Sequence, residues 1–186
     1  CLICWTPERA RPRLRYACVS GHFERCIQAR DAGAIGSRGR AHARLRHGAG
    51  ITDGGRYIDY QITVKATDGN IRFEETKEGT MSIRTHPALR LKGTVAKGQA
   101  INSEGVTGKA IWGKQAKWVD YWGPIEGKNV GIAIFDHPAN PRHPTTWHAR
   151  DYGLIAANPL GKRFFKAGQG AMTIKSGDTA TFRYRF

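Results

Sequence analysis

Cysteine stops early in this chain. Cys1, Cys4, Cys18 and Cys26 all precede residue 30 and none follows, so whatever folds beyond that point has neither a disulfide nor a thiolate metal ligand of its own. Cys1-x-x-Cys4 is half of a zinc or redox signature, but no second pair has ligand spacing, and the cysteines read as incidental. Lysine is missing from residues 1–50, which hold ten Arg and three acids. Residues 1–20 lack the apolar centre of a signal peptide, and no compartment follows from them. No run approaches 18 consecutive apolar residues, which excludes a membrane-spanning helix. After residue 50 no segment carries the 3.6-residue periodicity of an amphipathic helix of ten or more residues. The H-E-x-x-H zinc helix is absent as well.

The charge needs the same separation. A formal +15 over 186 residues ordinarily points to nucleic acid or an anionic membrane. Residues 51–186, however, hold nine Arg, eleven Lys and twelve acids, an ordinary balance for a soluble domain of mixed surface charge. Neither a nucleic-acid nor a membrane partner is expected. The segment Ser37–Gly48 is built largely from Arg, Ala, Gly and His, a mixture that a GC-rich gene yields out of frame. A basic arm for nucleic acid is the rival reading, but Lys and interleaved aromatics are missing. Residues 1–50 are therefore expected to be an atypical Arg-rich leader, out of frame or disordered, with the domain beginning near Ile51.

From Arg56 the texture changes. Ile58, Tyr60, Ile62, Val64 and Ala66 alternate with polar residues, the period of a half-buried strand, and Asp68-Gly69-Asn70 is a turn. Ile71 and Phe73 follow, which predicts a hairpin. Met81–Arg84 and Leu89–Leu91 are short alternating runs, and Trp118–Trp122 is an aromatic strand. Val130–Phe135 is apolar on both faces, so it is predicted to be a central strand covered on both sides. Met172 and Ile174, Ser176-Gly177-Asp178 and the alternation from Ala180 to Phe186 predict a closing hairpin. Short strands punctuated by Gly and Pro predict an all-β, antiparallel sandwich.

The stretch from Asp136 to Asp151 concentrates the chemistry. Pro138, Pro141 and Pro144 fix φ at every third position and forbid a helix, so the segment is predicted to be a stiff loop on which little ordering entropy remains to be lost. It holds three of the four histidines after residue 50. In a metal-site reading, His137, His143 and His148, with Asp136, would be ligands; their spacing fits no known ligand pattern, and no metal or cofactor is expected. In an acid–base reading, one histidine is oriented by Asp136 or Asp151 while Arg142 or Arg150 neutralises an anionic group. In a recognition reading, the loop binds without turning over its ligand. The structural alternative pairs Arg150 with Asp151 or Asp136 and lets the imidazoles cap loop carbonyls. His137, His143, His148 and Asp151 are the catalytic candidates. Asp136, Asn140, Arg142, Trp147, Arg150 and Tyr152 are the substrate-binding ones.

Trp112, Trp118, Trp122 and Trp147 are four of the five tryptophans. Exposed aromatic faces pack against the C–H faces of sugar rings, with Asp, Asn, Arg and His left for hydroxyls. Trp118 and Trp122 are expected in the core and Trp147 at the ligand. A small molecule or an oligosaccharide is thus the expected partner; the oligomeric state is open.

Several segments carry a resemblance: Arg56–Tyr60, Thr76–Thr80, Ile101–Ser103, Ala110–Lys114 and Trp118–Tyr121. They are joined by the run from Phe135-Asp136-His137-Pro138 through Trp147-His148 and Asp151-Tyr152-Gly153 to Ala156-Ala157-Asn158-Pro159. Over residues 51–186 the chain resembles the bacterial domain family labelled "methane oxygenase PmoA", a family of unknown function. The resemblance implies a β-sandwich similar to mutarotase-like supersandwich domains, a periplasmic or secreted protein and a sugar-related role. It also implies a longer protein with a further N-terminal half. A lyase, hydrolase or epimerase acting on sugars is the favoured function, with a non-catalytic sugar-binding module as the alternative. A metal-dependent oxygenase comes third, since a true particulate methane oxygenase subunit spans the membrane and this chain offers no such helix.

Overall fold

The computed structural model describes residues 23–27 and 39–186; Cys1, Cys4 and Cys18 lie outside the described residues. Twelve strands follow in chain order: β1 (Phe23–Ile27), β2 (Arg40–Thr52), β3 (Gly55–Asp68), β4 (Ile71–Phe73), β5 (Met81–Arg84) and β6 (Gln99–Asn102), then β7 (Trp118–Ile125), β8 (Lys128–Asp136), β9 (Thr146–Ala149), β10 (Leu154–Asn158), β11 (Met172–Ile174) and β12 (Thr179–Arg185). A single turn of α-helix, α1 (Lys162–Phe165), interrupts them. The strands form a seven-stranded sheet in the order β1-β2-β3-β12-β8-β7-β6, a three-stranded sheet β5-β10-β9 and a β4-β11 ribbon. Their pairings are antiparallel. The expected all-β, antiparallel, sandwich-like architecture is what the chain adopts.

Strand periodicity explains the core. Side chains alternate between the faces of a strand, and one parity from each sheet meets in the middle. Tyr60, Val119, Tyr121, Ile134, Phe182 and Tyr184 from the large sheet pack with Met81, Trp147, Ala149, Ile155 and Ala157 from the small one. The opposite parity of the large sheet, with Asp59, Gln61, Arg183, Arg185, Phe135 and Trp118, forms its other face. Thr63 and Thr181 share a hydrogen bond there, 3.2 Å between hydroxyl oxygens.

Four expectations need correction. Residues 40–50, expected in a leader, are most of β2, which pairs with β3 from Arg40↔Asp68 to Thr52↔Gly55. The Asp53-Gly54 dipeptide between them is the two-residue hairpin signal, so the organised region starts well before Ile51. The hairpins expected at Asp68–Asn70 and Ser176–Asp178 are instead corners. β3 pairs with β12, and β4 with β11, so both strands of one ribbon leave the large sheet together. Asn70 Oδ1 accepts from the Ser176 backbone N–H at 2.9 Å and binds the two corners to each other. Leu89 ends a 3₁₀ turn over Pro87–Leu89 rather than lying in a strand, as a proline at its start favours. Finally, β8 is central by hydrogen bonding, between β12 and β7, but its two faces differ: Ile134 on one is fully buried while Phe135 on the other is 44% exposed.

Candidate functional site

The segment after β8 is built by side chains that replace backbone pairing. β8 and β12 share only the pairs Tyr184↔Asp136 and Arg185↔Phe135 before they part. At that point the Asn140 amide takes over. Its Nδ2 donates to the Arg183 carbonyl and to Asp136 Oδ1, each at 2.7 Å, and its Oδ1 accepts from the Arg183 N–H at 2.6 Å. Arg142 adopts a left-handed backbone with φ 66°. Its guanidinium donates to the carbonyls of Pro159 and Ala171, both at 2.8 Å, and to that of Gly170. Burial lowers its pKa. Asn140 and Arg142, expected at the ligand, thus hold the fold together, and Arg142 has its charge engaged by three carbonyls instead of an anion.

Asp136 and His143 form the one close carboxylate–imidazole contact of the segment. Asp136 is buried, and Oδ2 accepts from the Thr145 backbone N–H at 2.9 Å and lies 2.8 Å from His143 Nδ1. An ionised carboxylate only accepts, which assigns the proton to Nδ1 and leaves Nε2 as the ring nitrogen with a free lone pair in neutral imidazole. The His143 side chain is 17% exposed against 1% for that of Asp136. His137 is exposed, and its Nδ1 accepts from the Ala139 N–H at 3.0 Å.

Asp136, His137 and His143 border a cleft of about 910 Å³ where β8 and β12 separate. Lys117, Trp118 and Phe135 line it on one side; Asp59, Gln61, Arg183 and Arg185 line it on the other, with Arg46 and His47 from β2 beyond them. The Trp118 and Phe135 rings lie 6.4 Å apart. Arg185 holds Asp59 through two hydrogen bonds of 2.7 and 2.8 Å, which lowers the Asp59 pKa. Arg183 Nε donates to Gln61 Oε1 at 3.0 Å.

The second half of the segment goes elsewhere, because residues 146–149 are strand β9 rather than loop. Trp147 takes the inward parity. It is fully buried and its Nε1 donates to the Ala116 carbonyl at 2.8 Å, so it is core and not the ligand platform expected of it. Trp118 and Trp122, expected in the core, sit half-buried on the outer face of β7. His148 takes the outward parity of the small sheet, where Trp112 and Phe165 cover it. Trp112 Nε1 donates to His148 Nδ1 at 3.1 Å, and Nε2 is buried with no partner among the described residues. Burial pushes the His148 pKa down to about 4, against a smaller opposing pull from Glu78. Such an imidazole is neutral at pH 7.

Arg150 and Tyr152 belong to this second region. The Arg150 guanidinium lies 5.7 Å from the Trp112 ring centroid and 5.4 Å from that of Tyr152, and Arg84 approaches Tyr152 at 5.6 Å. The Asp151 backbone carbonyl accepts from the N–H groups of Leu91 and Lys92, which fixes the turn. The structure therefore gathers Asp136, His137 and His143 at the cleft and sends His148, Arg150, Asp151 and Tyr152 away from it. Among the described residues, no group of three His, Cys, Asp or Glu side chains is placed to hold a metal ion. Lys117, Phe135 and Arg183 carry no expectation as site residues from the sequence, and Trp118 is expected there in the core. Their signal was outward parity: Arg183 and Arg185 interleave with Phe182 and Tyr184, as Trp118 does with Val119.

Residues 40–186 match the model of a family described as of unknown function. No curated protein and no solved structure matches the chain.

Proposed function

The chain belongs to that family, DUF6807, and we propose that its cleft binds a sugar-type ligand on which the Asp136–His143 pair transfers a proton. One observation carries this reading. His143 Nδ1 lies 2.8 Å from a buried carboxylate at the rim of a cleft, the geometry that fixes an imidazole's tautomer and orientation and steadies the imidazolium formed when Nε2 takes a proton. Asp136 is itself over-determined by Asn140 and the Thr145 N–H, so the imidazole is held from a rigid base. In the acid–base role Nε2 accepts a proton from a ligand hydroxyl or carbon and later returns it. Gln61 and Arg183 are donors for hydroxyl oxygens, and Trp118 with Phe135 is an apolar wall for a ring face. The finer assignment, to the domains labelled PmoA with their supersandwich fold and sugar-related role, rests on the sequence resemblance and agrees with this chemistry.

The second reading is a sugar-binding module without turnover. The half-exposed Trp118–Phe135 wall favours it, because an aromatic face and a shallow groove are enough for recognition. A panel of aryl glycosides and reducing oligosaccharides, followed by product chromatography and by calorimetry, separates the two. Turnover that disappears in both His143→Ala and Asp136→Asn, with ligand binding kept, establishes the enzyme. Binding without turnover in the unaltered chain establishes the module. Absence of both overturns the site.

A further inference from the structure

The charges around the cleft do not balance, and that imbalance bears on what enters it. Arg46, Lys117, Arg183 and Arg185 contribute cations, against the carboxylates Asp59 and Asp136. Neither carboxylate is available to the free cations. Asp59 is held by Arg185 at 2.7 and 2.8 Å. Asp136 is buried and spoken for by Asn140, His143 and the Thr145 N–H. Arg183 donates to Gln61, an uncharged amide. Arg46 and Lys117 are exposed and form no ion pair with the described residues. Three cations thus remain uncompensated around one concave surface, and a cleft lined by one sign of charge focuses its field on whatever enters.

Their spacing is as informative as their sign. Arg46 stands on β2 and Lys117 immediately precedes β7, at opposite ends of the run β2-β3-β12-β8-β7. Four inter-strand steps separate those strands, roughly 19 Å. A single small anion cannot reach both ends. A chain molecule with anionic groups at intervals can, and the uncharged Gln61 amide between the ends suits a hydroxyl.

Resting on the reading of this cleft as a sugar site, we propose that its ligand is an acidic oligosaccharide whose negative groups are engaged at one end by Lys117 and at the other by Arg46. The test is calorimetry on the full chain with tetragalacturonate, a sulfated tetrasaccharide, cellotetraose and an eight-residue thymidine oligonucleotide. An acidic tetrasaccharide should bind at least tenfold more tightly than cellotetraose at low salt, with the margin shrinking as salt rises. The two acidic probes distinguish carboxylate from sulfate as the recognised group. Lys117→Ala and Arg46→Ala, both at exposed positions, should each cut that affinity several-fold without altering the urea midpoint. Equal affinity for cellotetraose overturns the acidic preference while leaving the sugar site standing. Tighter binding of the oligonucleotide than of any saccharide overturns both readings in favour of a nucleic-acid groove, and binding of none of the four overturns both outright.

Discussion

His143 and His148 lie on one short segment and are indistinguishable by residue type, yet they occupy opposite chemical situations. His143 meets a carboxylate, keeps part of its side chain exposed and lines a cleft. His148 meets an indole N–H, is enclosed by Trp112 and Phe165, and is held neutral with its pKa near 4. The cause is the change of backbone between them. Up to Thr145 the chain is a turn whose side chains are aimed by Asp136, Asn140 and Arg142. From Thr146 it is a strand whose side chains are aimed by alternation, so that Trp147 and His148 must face opposite ways. Proximity in sequence built one apparent cluster, and the strand divided it.

Trp147 offers the largest test of that division. As a core residue it should cost about 3–5 kcal/mol on truncation to alanine, read as a fall in the urea midpoint. A near-native midpoint with lost ligand affinity would put the indole back in the site.

Asp136→Ala comes next. It strands the Asn140 amide, the Thr145 N–H and His143 together, and removing one partner from such a buried network costs roughly 3 kcal/mol. A loss below about 1 kcal/mol would mean that the carboxylate is a surface group and that the cleft end is as loose as it is open.

The His148 end is sharpened by pH. Its folded-state pKa, about 4, lies below the unfolded value near 6.5, so the unfolded chain binds the extra proton first as pH falls. The stability contributed by the neutral ring is therefore complete above pH 6.5 and drains away between there and pH 4, by on the order of 3 kcal/mol. Urea melts across that window should show the slope in the unaltered chain and lose it in His148→Gln. An identical slope in the variant would assign the effect to another group.

His143→Ala should disturb the fold least, by under about 1 kcal/mol, because the ring is partly solvated and Asp136 keeps its two other donors. On the proposed acid–base role its effect belongs in turnover, where loss of a general base costs about 10²–10⁴-fold. A variant that keeps full turnover would remove the functional half of the comparison.

Much of the fold was legible in the residues, and the failures share a cause. Alternation from Ile58 to Ala66 and from Ala180 to Phe186 marked β3 and β12 correctly, since a half-buried strand writes its burial into its sequence. Partner choice is not written locally. Asp68-Gly69-Asn70 and Ser176-Gly177-Asp178 look like hairpin turns because a corner between sheets uses the same turn residues, and only the neighbour across the ribbon tells them apart. β2 was missed because its Arg-, Ala- and Gly-rich residues owe their strand state to pairing with β3. At the site, the Asp136–His143 relation was within reach of sequence, seven residues apart with prolines between. Trp112 over His148 lies 36 residues away, and no spacing rule reaches it.

The Asn140 amide carries a consequence for how the cleft can exist. Where two strands part, each leaves a row of bare donors and acceptors, and a sheet split in this way would invite another chain to fill the gap. Here a side chain imitates the missing strand for one residue, so the backbone is free to turn outward while the Arg183 peptide N–H and C=O remain satisfied. The opening is thus hemmed like the end of a seam: wide enough to admit a ligand, finished enough not to run.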